Sequence, residues 1–152
     1  MKIGLLYATE TGNSEMLCDD IETELGTGFD CDIQNMGEVD PADLDTDTLY
    51  IFVTSTYGNG DLPSTATSFF DALNEHKPDL SGIRFAMFGL GDRVFDETFN
   101  QGSERLAASL KECKAEMIGE RGLHDASSGE MPEDIALPWI RTIMSEVTAE
   151  AA

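Results

Sequence analysis

The chain has 152 residues, of which 41% are hydrophobic and 26% charged, and this composition predicts one globular domain spanning 1–152. Thirty acidic residues against nine basic ones give a formal net charge of −21, which argues against nucleic acid and anionic membrane surfaces as partners and favours basic proteins. Because no apolar run is long enough to span a membrane, and the N-terminal segment lacks the features of a signal peptide, we expect a cytoplasmic protein.

Strand and helix patterns alternate through the first half of the chain. Residues 2–8 form a continuous apolar run typical of a strand buried on both faces, and a helix with apolar residues at helical spacing follows, up to the glycines at 26–28. Residues 29–35 alternate between apolar and polar, as in a strand near a sheet edge. The turn formers that follow leave room for little helix. Residues 49–55 are β-branched and aromatic, which indicates a central strand.

The second half continues the alternation. A helix marked by Ala66, Phe69, Phe70 and Leu73 precedes Pro78, and residues 83–91 form another buried strand. A helix through Leu106, Leu110 and Cys113 leads to a weaker fifth strand at 115–122, which contains a glycine. The last helix opens at Pro132 or Asp134 and carries Ile140, Ile143, Met144 and Val147 on one face. Together these patterns predict a doubly wound α/β fold whose parallel sheet is covered on both faces, with ligands beyond the carboxyl ends of the strands.

The cysteines and histidines carry no evident chemistry. Cys18, Cys31 and Cys113 are widely spaced and odd in number, so we expect reduced, buried side chains. His76 and His124 are isolated from each other, which favours surface or helix-end positions. No metal site is predicted.

The first candidate loop is TETGNS, residues 9–14, between the first strand and its helix. Gly12 permits a tight turn, and the amides of a helix N-terminus can point at one anion, with the helix dipole behind them. Further donors come from Thr9, Thr11, Asn13 and Ser14. The motif is neither a P-loop nor a Rossmann fingerprint, and no Lys or Arg occurs from Ile3 to His76. The loop therefore suits a phosphate monoester, and a capped helix start is the alternative.

The second candidate loop is TSTYGNGDLPS, residues 54–64, after the third strand. Two glycines flank Asn59, and Tyr57 lies at the strand exit. An aromatic ring beside a Gly-x-Gly turn can cover a flat ligand while backbone groups reach the ligand's rim. In the alternative interpretation, Tyr57 packs on its own loop.

The third candidate loop is GLGDRVFDETFN, residues 89–100, after the fourth strand. Its glycines also permit close backbone approach, and an aromatic residue, Phe95, follows. A tight turn with Phe95 in the core is the alternative. Taken jointly, the three loops predict a pocket for a phosphorylated planar ring.

In these three motifs, and over nearly its whole length, the chain resembles the flavodoxin family. The short spacing from GERGLHD to the last helix resembles the short-chain group, and the stretches KPDLSGIRF and EMPEDIALPWI resemble MioC-type flavodoxins and, more distantly, the FMN domains of diflavin reductases. The resemblance implies strand order 2-1-3-4-5 and one non-covalently bound FMN.

The resemblance also implies the residues of the site. The phosphate would be held by Thr9, Glu10, Thr11, Gly12, Asn13 and Ser14. The isoalloxazine would be bordered by Ser55, Thr56, Tyr57, Gly58 and Asn59, with Tyr57 stacked on the outer face of the ring. Its pyrimidine edge and second aromatic position would be formed by Leu90, Gly91, Asp92, Phe95 and Phe99. Asp125, after the fifth strand, matches an acidic position near the flavin. The spacing from Phe95 to Phe99 is one residue longer than usual in the family.

The resemblance implies a monomeric one-electron carrier, without substrate chemistry of its own, that takes low-potential electrons from a reductase and passes them to acceptor enzymes. The acidic face would attract basic-faced partners in transient, salt-sensitive complexes; salt adaptation is an alternative origin of the acidity. One rival function is an FMN-dependent NAD(P)H oxidoreductase acting on quinones or other small acceptors. Another is a flavin-free receiver-type module, which would need an Asp where this chain has TST at 54–56.

Overall fold

Strands and helices alternate along the chain, as the hydrophobic pattern predicts. The computed structural model describes residues 2–8, 13–55, 64–91, 101–125 and 130–151. The elements are β1 (Lys2–Ala8), α1 (Asn13–Leu25), β2 (Asp30–Asn35), β3 (Thr48–Ser55), α2 (Ser64–His76), β4 (Arg84–Gly91), α3 (Gln101–Glu112), β5 (Glu116–Met117), β6 (Gly122–Asp125) and α4 (Pro132–Ala151). Short 3-10 turns at Gly26–Gly28, Met36–Glu38 and Pro41–Asp43 are the only other helical segments between α1 and β3.

The strands form a parallel sheet in the order β2-β1-β3-β4, with β5 and β6 both paired to β4. This arrangement confirms the predicted doubly wound fold and the strand order 2-1-3-4-5. A parallel sheet of this kind needs helices on both faces, because its central strands are apolar on both sides. Here α1 and α4 cover one face, and α2 and α3 cover the other.

The core is accordingly divided into two layers by the sheet. Alternate residues of each strand enter opposite layers, so that Leu5 packs with the α1 and α4 layer and Leu6 packs with the other. In the second layer Phe52 contacts Phe69 and Phe85, with ring centroids 5.7 and 5.9 Å apart. The aromatic run of β3 is therefore buried on both sides, as expected for a central strand.

The fifth strand position differs from the prediction of one strand at 115–122. β5 pairs with the start of β4, and β6 pairs with its end. Between these two pairings there are four residues, 118–121, on one side, but only Ala86 and Met87 on the β4 side. Gly119 lies in the left-handed region, at φ +65°, where a side chain would be strained. The chain therefore bulges by two residues, and the second strand extends to Asp125 rather than ending at Gly122.

The bulge is fixed by packing against α4. Trp139 donates its indole N–H to the carbonyl of Glu120 at 2.9 Å, and its ring packs against Phe88 at a centroid distance of 5.2 Å. A Cβ at Gly122 would lie 2.4 Å from Cδ2 of Phe88, so only glycine admits the ring at this depth. The position of β6 thus depends on an aromatic pair that comes from β4 and α4.

Helix α4 starts at Pro132, one of the two predicted openings, and continues through Pro138. Proline is tolerated in the first turn of a helix, but in the interior it removes one backbone hydrogen bond. The guanidinium of Arg141 pairs with the carboxylate of Glu24, which joins α4 to the end of α1. No helix in the described ranges combines the length and apolarity needed to cross a bilayer.

The cysteines are free thiols. Cys18 and Cys113 are buried and Cys31 is half-buried. Burial raises the pKa of each of the three thiols above its ordinary value. Thiols held in this protonated form are poor nucleophiles, which agrees with the predicted packing role.

Candidate functional site

Strand register brings the residues that precede the predicted loops to one edge of the sheet. The last residues of the strands pair as Ala8 with Thr54, Ser55 with Leu90, and Gly91 with Asp125. Loops 9–12, 56–63 and 92–100 begin directly after these strand ends. β1 and β3 are neighbours, yet the chain passes from β1 to α1 on one face and from β3 to α2 on the other. This is the topological switch point at which doubly wound proteins bind ligands.

The described residues include only part of the predicted site. Outside the described ranges lie Thr9, Glu10, Thr11, Gly12, Thr56, Tyr57, Gly58, Asn59, Asp92, Phe95 and Phe99. Asn13 and Ser14 begin α1, and Ser55, Gly91 and Asp125 end β3, β4 and β6. Leu90 is 7% exposed and packs in the α1 and α4 layer. Asp125 is the last residue of a strand, which corrects the expectation that it follows the fifth strand.

The amino end of α1 is compatible with a phosphate monoester. The 13-residue helix begins at Asn13, five positions after the last residue of β1, so its N-terminus lies at the carboxyl edge of the sheet. The first amides of a helix lack internal partners and carry the positive end of its dipole. This provides the donor set that a phosphate requires, without a basic side chain.

Tyr7 and Glu15 lie on either side of the first predicted loop. Tyr7 lies near the end of β1, and Glu15, in the first turn of α1, is close enough to interact electrostatically with its hydroxyl. Partial burial raises the pKa of the Tyr7 hydroxyl, and the carboxylates of Glu15 and Glu38 raise it further. The hydroxyl therefore remains a donor at neutral pH. This pair was not expected from the sequence, although Tyr7 lies two residues before Thr9 and Glu15 directly follows Ser14.

His124 is buried within a strand, whereas the sequence predicted a surface or helix-end side chain. His76 does end α2 and is exposed, but His124 lies within β6 and is 5% exposed. Its Nε2 lies 2.7 Å from the carbonyl oxygen of Glu130. Because a carbonyl only accepts, Nε2 must donate this hydrogen bond. The interaction joins the end of β6 to the residues before α4. His124 pairs with Leu90, so its ring lies on the face of the sheet that α1 and α4 cover.

We predict that replacing His124 by leucine lowers the free energy of unfolding by about 1–3 kcal/mol, because the Glu130 carbonyl loses its buried donor. His124→Gln, which retains an N–H donor, should recover part of that loss. Urea denaturation followed by circular dichroism measures both values. Equal stability of the wild type and His124→Leu would show that the hydrogen bond contributes nothing.

The strand order and the switch-point edge define the class as a doubly wound α/β protein. The sequence profile of the flavodoxin family, described as "Flavodoxin", matches residues 5–139. The chain belongs to the flavodoxin family, and FMN is its cofactor.

Individual relatives agree with this assignment. Protein MioC of Escherichia coli (strain K12) is 38% identical over 98 residues, which make up 64% of this chain and 66% of MioC. NADPH–cytochrome P450 reductase of Homo sapiens is 33% identical over 144 residues, covering 89% of this chain but 20% of the reductase. A cysteine-to-serine mutant of flavodoxin from Pseudomonas aeruginosa has the same fold, with a TM-score of 0.84 and 23% identity over 97% of this chain and 99% of that one. The matched segment spans just under two thirds of MioC.

Proposed function

We propose that this protein binds one FMN at the carboxyl edge of the sheet and acts as a one-electron carrier between a reductase and acceptor enzymes. The observation that supports the proposal is the register of β1, β3 and β4, whose carboxyl ends lie side by side at the points where the three predicted flavin loops begin. Membership of the flavodoxin family supports the same conclusion. The chain would work as a single domain over 1–152, as a monomer in the cytoplasm.

The proposed phosphate site consists of residues 9–14, with the backbone amides at the amino end of α1 as its anion-binding element. Tyr57 would stack on the isoalloxazine, and the backbone of residues 56–59 would border the ring. Leu90 to Asp92 would line the pyrimidine edge, and Phe95 would take the second aromatic position. Each assignment is a residue-by-residue transfer from the flavodoxin motifs.

FMN supplies the ability to accept two electrons one at a time, with a proton. The chain would supply orientation and electrostatics. Between Ile3 and His76 it carries sixteen acidic residues and no Lys or Arg. Negative charge around a cofactor disfavours the addition of further negative charge, so we expect these residues to lower the reduction potential of bound FMN. The carrier would therefore donate electrons at low potential.

We propose that the protein has no substrate chemistry of its own and obtains its electrons from a separate reductase. The Homo sapiens relative is named for NADPH and cytochrome P450, and this chain spans only the 20% of it that matches. Within the described residues, no set of His, Cys, Asp or Glu side chains could hold a metal ion. The partners would be basic-faced redox proteins that bind transiently.

Stopped-flow spectroscopy of the FMN-loaded protein tests the proposal. NAD(P)H alone should reduce the flavin slowly, and addition of a flavodoxin reductase should accelerate reduction by about a hundredfold or more, since a carrier needs its reductase to deliver electrons one at a time. Rapid reduction by NAD(P)H alone would instead support the NAD(P)H oxidoreductase. A purified protein that takes up no FMN would contradict both functions.

A further inference from the structure

The two edges of the sheet differ in how they are closed. The edge formed by β5 and β6 is interrupted by the bulge at 118–121, which Trp139 holds in place. The other edge is β2, which runs for six residues, 30–35, in unbroken register with β1. It contains no proline, and no described strand pairs with its outer side. β2 therefore presents a regular, open row of backbone donors and acceptors.

The side chains of β2 alternate between two different environments. Cys31 and Ile33 are half-buried and pack against the core layer of α1 and α4. Asp30, Asp32 and Gln34 are exposed on the other face of the sheet. A strand added to the outer side of β2 would continue both faces, so its own side chains would alternately meet apolar and acidic surface.

The acidic face of β2 adjoins an open groove of about 500 Å³. Three strands form its floor in register, with Asp32 beside Gly4 and Gly4 beside Tyr50. A Cβ at Gly4 would lie 2.8 Å from Cδ1 of Tyr50, so the tyrosine ring overlies the glycine. Asp45 completes the wall, and its backbone N–H donates to the Tyr50 hydroxyl at 2.7 Å. The groove therefore places an aromatic ring next to the Asp32 row.

The groove is open because the connection from β2 to β3 contains only short helical turns. These turns are Met36–Glu38 and Pro41–Asp43, each of three residues. Helices α2 and α3, which cover this face of the sheet, pack on β1, β3 and β4. The acidic side of β2 thus remains exposed beside the covered part of the sheet.

Asp32 is a carboxylate of this face with no cation beside it in register. Asp30 pairs in register with Lys2, which partly compensates its charge, whereas Asp32 pairs with Gly4. Among the described residues, neither aspartate forms an ion pair. Together with Asp45, the groove carries three carboxylates against one ammonium group. Charge complementarity therefore favours a cationic group over Asp32.

The same charges argue against a second copy of the chain as the occupant. Charged residues on edge strands commonly prevent self-association, and paired β2 edges would bring Asp30 and Asp32 of two copies together. The net charge of −21 adds to this repulsion. Protection against self-association accounts for an acidic edge, but it leaves that edge open to a strand of opposite charge.

We propose that β2 is a docking edge for a partner polypeptide with an extended segment in which basic and apolar residues alternate. Backbone hydrogen bonds to the outer side of β2 provide the pairing, and the apolar side chains lie beside Cys31 and Ile33. An arginine of the segment lies opposite Asp32. Because its side chain spans more than one strand spacing of about 4.8 Å, the guanidinium reaches the groove, pairs with the carboxylate and contacts the Tyr50 ring.

This docking edge is separate from the proposed FMN site. The groove includes Lys2, Asp30 and Thr48, which are the first residues of their strands, whereas the FMN site lies at the carboxyl ends. The inference therefore goes beyond the proposed function and does not depend on it.

The test measures binding of the FMN-loaded protein to a dye-labelled nine-residue peptide that alternates arginine and valine. Fluorescence anisotropy is recorded in about 0.3 M salt, where distant charges are screened. We expect this peptide to bind at least about tenfold more tightly than one of the same composition with its arginines and valines in separate blocks. Amide hydrogen exchange of residues 30–35 should slow when the alternating peptide binds, because the outward N–H groups of β2 gain partners.

Two variants change the docking edge, and a third is the control. Asp32→Asn should weaken binding of the alternating peptide about tenfold, because the guanidinium loses its carboxylate. Ile33→Thr keeps a β-branched side chain but reduces the apolar contact, so it should weaken binding about threefold. Glu112→Gln removes the same charge from the exposed end of α3 and should stay within about twofold of the wild type. FMN content, measured by absorbance, should be equal in all variants.

Each outcome decides for or against the docking edge. Preference for the alternating peptide, its loss in Asp32→Asn and slower exchange in residues 30–35 support the proposal. Equal affinity for the two peptides, or equal effects of Asp32→Asn and Glu112→Gln, would show a general attraction to an acidic protein and would overturn it. Protection of amides elsewhere, without protection of residues 30–35, would also overturn it. None of these results bears on electron transfer, so failure of the docking edge leaves the proposed function unchanged.

Discussion

Replacing Phe88 by alanine is expected to lower the free energy of unfolding by about 3–5 kcal/mol, the largest stability change predicted for this chain. Phe88 is fully buried in β4, and its ring fills the space above Gly122 and beside Trp139. Removal of the ring leaves a cavity that Gly122, without a side chain, cannot fill. The loss also removes the contact that holds β6 and α4 together at the bulge.

Urea denaturation measures this change, and Trp139, the one tryptophan of the chain, provides a local fluorescence signal. Phe70→Ala is the matched control, because Phe70 is only half-buried on α2 and should cost distinctly less. If Phe88→Ala were no more destabilising than Phe70→Ala, the bulge would not depend on the aromatic pair.

Replacing Tyr57 by alanine is expected to weaken FMN binding by about tenfold or more, because loss of a stacked ring removes both buried area and the aromatic contact. Without the ring beside the isoalloxazine, the protein should also disfavour reduced FMN less than the wild type does. The reduction potential of bound FMN should therefore rise. Fluorescence titration with FMN and potentiometric titration measure the two effects. Tyr57 lies outside the described residues, so this experiment tests a prediction made from the flavodoxin motif.

Tyr57→Phe is the control for the hydroxyl group. The phenyl ring retains its face, so the affinity and the potential should both remain near the wild-type values. If Tyr57→Ala bound FMN as tightly as Tyr57→Phe, with the same potential, the aromatic side chain would have no place in the stack.

Local patterns were sufficient to predict most of the fold. The continuous apolar runs at 2–8 and 49–55 form β1 and β3, and the alternating run at 29–35 forms the edge strand β2. These predictions were correct because a strand buried on both faces is apolar throughout, whereas a strand buried on one face alternates between apolar and polar residues. The flavin loops were recognised from glycines and aromatics at strand ends, and the register of those ends supports their juxtaposition.

The fifth strand could not be predicted in the same way. Its residues are only partly apolar, and its break depends on Trp139, which contacts Glu120 from α4. No pattern within 115–122 records that contact. The burial of His124 could not be predicted either, because its partner, the Glu130 carbonyl, is a backbone atom with no signature in the side-chain sequence.

The sequence by itself determined the elements, the order of the loops and the absence of positive charge from Ile3 to His76, because hydrophobic period, turn residues and charge are local properties. Only the tertiary structure decided the bulge between β5 and β6 and the burial of His124 on the face of the sheet that α4 covers. These features arise where residues distant in sequence pack together, and such packing has no local pattern.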